Sequence, residues 1–209
     1  MWAAWAVYWE GEAAAGRGTM AQRRFHYEQA FEHYLRANRV PYVAVDEAKK
    51  SLVPKEAPIG SLKSFDFVVY TAARNLLVDV KGRMYGRRGG ATTANRRFET
   101  WVTREDVESL AQWQRLFGGE FEAVFVFMYC LRQQPPDALF EEIFAFGDRW
   151  YALCEASLVA YREVMVVRSA KWGTVHVPVE AFARISRPFS VRGGHGGRES
   201  CQDDGATVS

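Results

Sequence analysis

The fold turns on one stretch, Phe65-Asp66-Phe67-Val68-Val69-Tyr70-Thr71-Ala72-Ala73-Arg74-Asn75-Leu76-Leu77-Val78-Asp79-Val80-Lys81. Two apolar runs rich in β-branched residues, FDFVVY and LLVDVK, flank a short link, TAARN, which is the pattern of an antiparallel hairpin. Asp66 and Asp79 are equidistant from the midpoint between Ala72 and Ala73, the centre of the expected turn. That register sets the two carboxylates opposite each other on one face. Lys81, two residues beyond Asp79, shares their face by strand alternation. Val78 and Val80, with Phe67 and Val69, take the other face into a core.

Carboxylates directly opposite each other destabilise a sheet unless positive charge stands between them. Lys81 supplies one charge, and a divalent cation would supply two more. Carboxylate oxygens are hard ligands that suit magnesium, which keeps waters for a phosphate and a nucleophile to replace. Such an ion polarises a phosphoryl oxygen and lowers the pKa of bound water, while the ammonium orients that water. The alternative is an amphipathic edge hairpin whose Asp79–Lys81 pair sits in solvent.

Upstream, residues 22–38 place Tyr27, Phe31, Tyr34 and Leu35 on one helical stripe. Glu28 lies at the edge of that stripe, where its carboxylate can point over the sheet. Glu32, one turn on, is the substitute candidate, and both read equally well as surface helix residues. VPYVAV (40–45) reads as a strand and 47–63 as a basic connection. Downstream, 82–95 reads as a Gly/Arg loop. Thr103 opens a helix to about residue 117, with Asp106 completing a capping box in place of the usual Glu or Gln. EAVFVFMYCL (122–131) is a central strand. Residues 140–146 and 150–154 form a hairpin turning at Gly147–Asp148. A helix near 156–165, a strand at 173–177 and a helical turn at 179–184 close the core. The early strands form a meander, and the helix at 103–117 carries the chain across to the next strand.

Glu28, Asp66 and Asp79-Val80-Lys81, in this order and on these elements, resemble the PD-(D/E)XK nuclease signature. The N-terminal half is most similar to its Holliday-junction-resolvase-like branch, and HYEQAFE (26–32) matches the name-giving motif of the HYExAFE family. The nuclease resemblance covers about residues 22–130. It implies a restriction-endonuclease-like αβββαβ core, α/β in class, with a mixed sheet flanked by helices, followed by a C-terminal hairpin and helix extension. It further implies that Glu28, Asp66 and Asp79 ligate Mg2+ (or Mn2+) with the Val80 carbonyl, and that Lys81 positions the attacking water. Phe65 stands where the signature usually has proline, and Asp79 in place of glutamate lies within the pattern.

The segment after the lysine adds Arg83, Arg87, Arg88, Arg96 and Arg97 as candidates for nucleic-acid binding, because arginines fork onto phosphates and glycines let the backbone approach them. Tyr85 is a candidate for stacking on a base of a single strand; the plainer reading is a surface loop. Lys49, Lys50, Lys55 and Lys63 would extend the same surface. His26 reads as a local hydrogen-bonding residue. Trp101, Trp113, Trp150, Tyr151 and Trp172 read as core or lid aromatics.

Charge agrees with an anionic partner. The 209 residues carry a net charge of +2, but residues 20–100 hold 15 Lys/Arg against 8 Asp/Glu, and residues 101–191 hold 9 against 12. A basic half on a nearly neutral chain points to nucleic acid, DNA first. No apolar run approaches a membrane span. Three scattered cysteines (Cys130, Cys154, Cys201) give neither a disulfide framework nor zinc spacing, which fits the cytoplasm. Residues 1–19 read as an unfolded extension or a mis-assigned start, 20–190 as one nuclease-like domain, and 191–209 as a disordered tail. Three functions follow: a metal-dependent phosphodiesterase, an inactive nucleic-acid binder of the same fold, or a partner-binding scaffold. A homodimer would use the apolar-aromatic segment 140–190.

Overall fold

The computed structural model describes residues 20–45, 62–85, 98–131 and 142–189, with the side chains of 20–25 excepted. The expected N-terminal extension and tail, Lys49, Lys50, Lys55, Arg87, Arg88, Arg96 and Arg97 lie outside the described residues. The chain opens with helix α1 (Met20–Ala37), whose Phe31, Tyr34 and Leu35 are buried as the stripe requires. It ends in a reverse turn with Arg39 in the left-handed region (φ 55°), where Val40 donates back to the Leu35 carbonyl at 2.9 Å.

Strands β1 (Tyr42–Ala44), β2 (Phe67–Tyr70) and β3 (Asn75–Tyr85) form the expected antiparallel meander. After β4 (Val102–Thr103), helix α2 (Arg104–Phe117) carries the chain across to β5 (Phe121–Leu131), which lies parallel to β3 over its whole length. Strands β6 (Ile143–Phe146) and β7 (Arg149–Ser157) form the hairpin around Gly147–Asp148, with β7 antiparallel to β5. Helix α3 (Leu158–Val164), β8 (Val166–Ser169), β9 (Thr174–His176), helix α4 (Val179–Ile185) and β10 (Ser186–Pro188) follow. The main sheet runs β1-β2-β3-β5-β7-β10, with β6 also on β7, and β4-β9-β8 form a second, smaller sheet. The fold is thus α/β, a mixed sheet flanked by helices. Among the described residues no helix is long and apolar enough to cross a membrane.

Two differences from the sequence reading matter. β3 continues through Gly82, Arg83 and Met84 to Tyr85, where a loop was expected from residue 82. The strand expected at 173–177 is β9, but β10 and the strands β4 and β8 that pair with β9 were not foreseen. Strands of two to four residues carry too little periodicity to read, and Pro188 is accommodated because β10 lies at a sheet edge.

β5 is buried from Ala123 to Leu131 on both faces, as a central strand covered by helices must be. On one side α1 and Phe189 pack on Phe67, Val69, Leu76, Val78, Val124, Val126 and Met128. On the other, Val107 and Leu110 of α2, Leu158 and Tyr161 of α3, and Phe182 of α4 pack on Leu77, Phe125, Phe127 and Tyr129. An Ala at position 82 would put its Cβ 2.1 Å from the Tyr27 ring, so the glycine is what lets α1 lie close on β3.

Candidate active site

β2 and β3 pair in the register that the Ala72–Ala73 midpoint implies, Phe67 opposite Val78 and Tyr70 opposite Asn75. Asp66 sits at a bend just ahead of β2: its N–H donates to the carbonyl of Val78, the partner of Phe67, at 2.9 Å, and its own carbonyl accepts from Val45 at 2.9 Å. The expected facing of Asp66 and Asp79 is not part of this pairing, which ends at Phe67 and Val78, but the Asp79 charge acts on Asp66. At this point the ladder changes hands, because the Asp66 side chain, through Oδ2, accepts the Val80 N–H at 2.6 Å.

Asp79 and Lys81 do pair, Nζ to Oδ2 at 2.7 Å, but not in solvent: Asp79 is 5% exposed and Lys81 9%. The edge-hairpin alternative fails on that burial. The ammonium is held from a second side by Asp106 of α2, Oδ2 at 3.1 Å. The other oxygen of Asp106, Oδ1, accepts from the Lys63 ammonium. Asp106 also keeps its capping role, accepting the Thr103 N–H at 2.8 Å while its own N–H donates to Thr103 Oγ1 at 3.0 Å.

The segment bearing Lys63 is fastened to α2. Its N–H donates to Ser109 Oγ at 3.2 Å, and its carbonyl accepts from Trp113 Nε1 at 2.8 Å. Asp106, Ser109 and Trp113 are spaced three and four residues apart, one stripe of the helix. With Lys63, Ser64 and Asp79 they line one narrow recess. The Ser64 hydroxyl is buried there with no hydrogen-bond partner.

Electrostatics concentrates at this point. Burial, then the charges of Asp79 and Glu28, hold the Asp66 carboxyl well above the usual range, against the pull of Lys81 and the Val80 N–H. Burial also raises Asp79, with Lys81 opposing and Asp106 adding to it. Burial alone would lower Lys81, yet Asp79 and Asp106 outweigh it and raise its pKa. Burial acts to raise Asp106, and the two lysines overcome it and hold it below the ordinary carboxylate range.

Glu28, on α1, is half-buried and close enough for its charge to act on Asp66. Glu32 is spent elsewhere, accepting from Tyr42 at 2.6 Å and Arg36 at 2.7 Å. The two residues before Glu28 fix the helix: His26 hydrogen-bonds to the Tyr151 hydroxyl and lies 2.8 Å from Arg149 Nη1, and Tyr27 seats on Gly82. Arg83 turns inward, its guanidinium 4.1 Å from the Trp101 ring centroid and donating to the Gly82 and Trp101 carbonyls. Tyr85 is buried against Phe98 and Tyr129, so it has no free face for a base. Of the aromatics expected in the core or a lid, Trp172 is not in the core and is 73% exposed.

Sequence reading missed Asp106 and the inward half of Lys63. The available signal was an aspartate where a capping box normally takes Glu or Gln, on the same helical stripe as Ser109 and Trp113. Hard carboxylate donors, with Asp66 raised by burial and then by the charges of Asp79 and Glu28, fit a divalent cation in chemistry. Among the described residues, however, no three His, Cys, Asp or Glu side chains are gathered as a metal cage, since Asp79 turns to Lys81.

No family model matches the chain, and no curated protein matches it. Five solved chains do. One is the Holliday junction resolvase Hjc of Archaeoglobus fulgidus, an archaeal hyperthermophile, to which this chain is similar at 14% identity and a TM-score of 0.44, over 77% of this chain and 92% of that one.

Proposed function

We propose that residues 20–190 form one domain that hydrolyses phosphodiester bonds of nucleic acid, DNA first, as a divalent-cation-dependent nuclease of the PD-(D/E)XK and HYExAFE type. The observation that carries this reading is the buried Asp79–Lys81 pair, with the ammonium 2.7 Å from Asp79, beside an Asp66 on which the charges of Asp79 and Glu28 act. Glu28, Asp66, Asp79 and the Val80 carbonyl would hold Mg2+ or Mn2+. The ion would supply Lewis-acid polarisation of the phosphoryl oxygen and acidify water. Lys81, charged and fixed between two carboxylates, orients the attacking water and offsets the charge that builds on the phosphate. Arg87, Arg88, Arg96 and Arg97 supply phosphate contacts. Cutting both strands of a duplex would call for two copies of the chain. Cys130 is a free cysteine, which suits a reducing cytoplasm.

A second reading is favoured by the Asp79–Lys81 pair itself. With that carboxylate already neutralised and no three acids gathered among the described residues, the same fold would bind nucleic acid without cutting it. One assay separates the two. Duplex, single-stranded and four-way-junction DNA are incubated with the protein and Mg2+, with and without EDTA, beside Asp79→Asn. Cleavage that needs Mg2+ and is lost in the variant supports the nuclease. Salt-sensitive binding with no products on any substrate supports the binder and ends the first reading.

A further inference from the structure

We infer that Asp106 is a positioning residue, the group that holds the Lys81 ammonium in place over Asp79; as a statement about catalysis this rests on the nuclease reading above. A helix cap needs one polar oxygen at the surface. Asp106 has far more. It is 5% exposed, and it divides its carboxylate between Lys81 at 3.1 Å and the Thr103 N–H at 2.8 Å on Oδ2, and Lys63 on Oδ1. Burying a carboxylate is costly unless cations repay it, so a capping role alone leaves both the depth and the two lysines unexplained.

The consequence lies in the ammonium. Lysine has three N–H donors on a flexible stem and is poorly ordered by a single partner. Asp79 and Asp106 approach Lys81 from different elements, one on its own strand and one on α2, and this fixes the head group rather than only neutralising it. Lys63, fastened to the same helix by Ser109 and Trp113, balances the second negative charge, so the cluster is not left with two acids against one cation.

Three forms of the protein test this: wild type, Asp106→Asn, which keeps a capping oxygen but loses the charge, and Thr103→Ala, which weakens the cap but keeps the ion pair. Cleavage kinetics are read beside the NMR signals of the lysine side-chain ammonium groups, including scalar coupling between Lys81 Nζ and the Asp106 carboxyl carbon. The expected result is a protected Lys81 signal coupled to Asp106 in wild type, retained in Thr103→Ala and lost in Asp106→Asn. In that last variant kcat falls at least tenfold with KM within about threefold, while Thr103→Ala keeps its kcat. An Asp106→Asn protein that cleaves at the wild-type rate or keeps the Lys81 signal overturns the inference. Should that variant not fold, absence of the coupling in wild type overturns it equally. A wild type that cleaves nothing refutes the nuclease reading, and the ammonium signals then still decide whether Asp106 holds Lys81.

Discussion

The Asp66 carboxylate accepts the Val80 N–H at 2.6 Å, so a side chain takes a hydrogen bond of the β3 backbone beyond the last backbone link from β2. The same carboxylate lies under the charges of Asp79 and Glu28. One residue therefore lies at the end of the β2–β3 pairing and within the fields of both other acids.

Asp66→Asn should be more stable than wild type in EDTA at neutral pH. The native carboxyl has a pKa above its unfolded value, so the native state grips that proton more tightly. Its stabilisation is complete below about pH 4 and is lost as pH climbs through the raised native pKa. The asparagine keeps an oxygen for Val80 and never ionises, so the gap in its favour should open with rising pH and then level off. Urea melts from pH 3 to 8 measure it, and a pH-independent gap contradicts the assigned cause. Asp66→Ala, which strands the Val80 N–H, should instead lose about 1–3 kcal/mol.

Gly82→Ala should destabilise the protein by about 1–3 kcal/mol, the usual cost of overpacking, because the new Cβ would fall within the Tyr27 ring. Tyr27→Ala in the same chain removes the obstacle. The double variant should therefore be more stable than the sum of the single losses allows. Additive losses in a denaturation cycle would show that α1 does not rest on β3 at this point.

Lys81→Met should cost about 3–5 kcal/mol, since it leaves Asp79 and Asp106 buried with less compensation. Adding Asp79→Asn to Lys81→Met should recover part of that loss. Guanidinium titrations give the coupling. A double variant as unstable as the two losses summed would mean that the pair does not interact.

The hairpin, its register and the placing of Asp79 and Lys81 on one face were legible because strand alternation and a symmetric turn leave one arrangement that buries Phe67, Val69 and Val78. The helix boundary at Thr103 was legible from its capping residues. What escaped was long-range or locally disguised. Asp106 lies 25 residues beyond Lys81 and looks like an ordinary cap. Gly82 and Arg83 resemble loop residues, yet one is small to admit Tyr27 and the other turns in to lie on Trp101. The choice between Glu28 and Glu32 needed Tyr42 and Arg36, which claim the second, to be seen in place.

A second ionic cluster gives a test of the fold that is separate from the site. Glu155 on β7 is 1% exposed, and its Oε1 accepts from both Arg74, ahead of β3, and Arg187 of β10, while Oε2 is buried without a partner. Arg74 also bonds Glu122 of β5 at 2.7 Å, and Arg187 approaches the same carboxylate at 3.6 Å. Four side chains, from the turn ahead of β3 and from β5, β7 and β10, are thus joined. Arg74→Ala withdraws a guanidinium from a buried carboxylate and should cost about 3–5 kcal/mol. Glu155→Gln retains an oxygen for the arginines without the buried charge and should cost less. Arg187 is more than half exposed, so Arg187→Ala should cost least of the three, its pair being largely screened by solvent. Hydrogen exchange should place the Arg187→Ala loss at β10 and the end of β7, sparing the β2–β3 hairpin. If all three variants lose equal stability, or if protection falls at Val80, the network serves the whole sheet rather than its β10 edge.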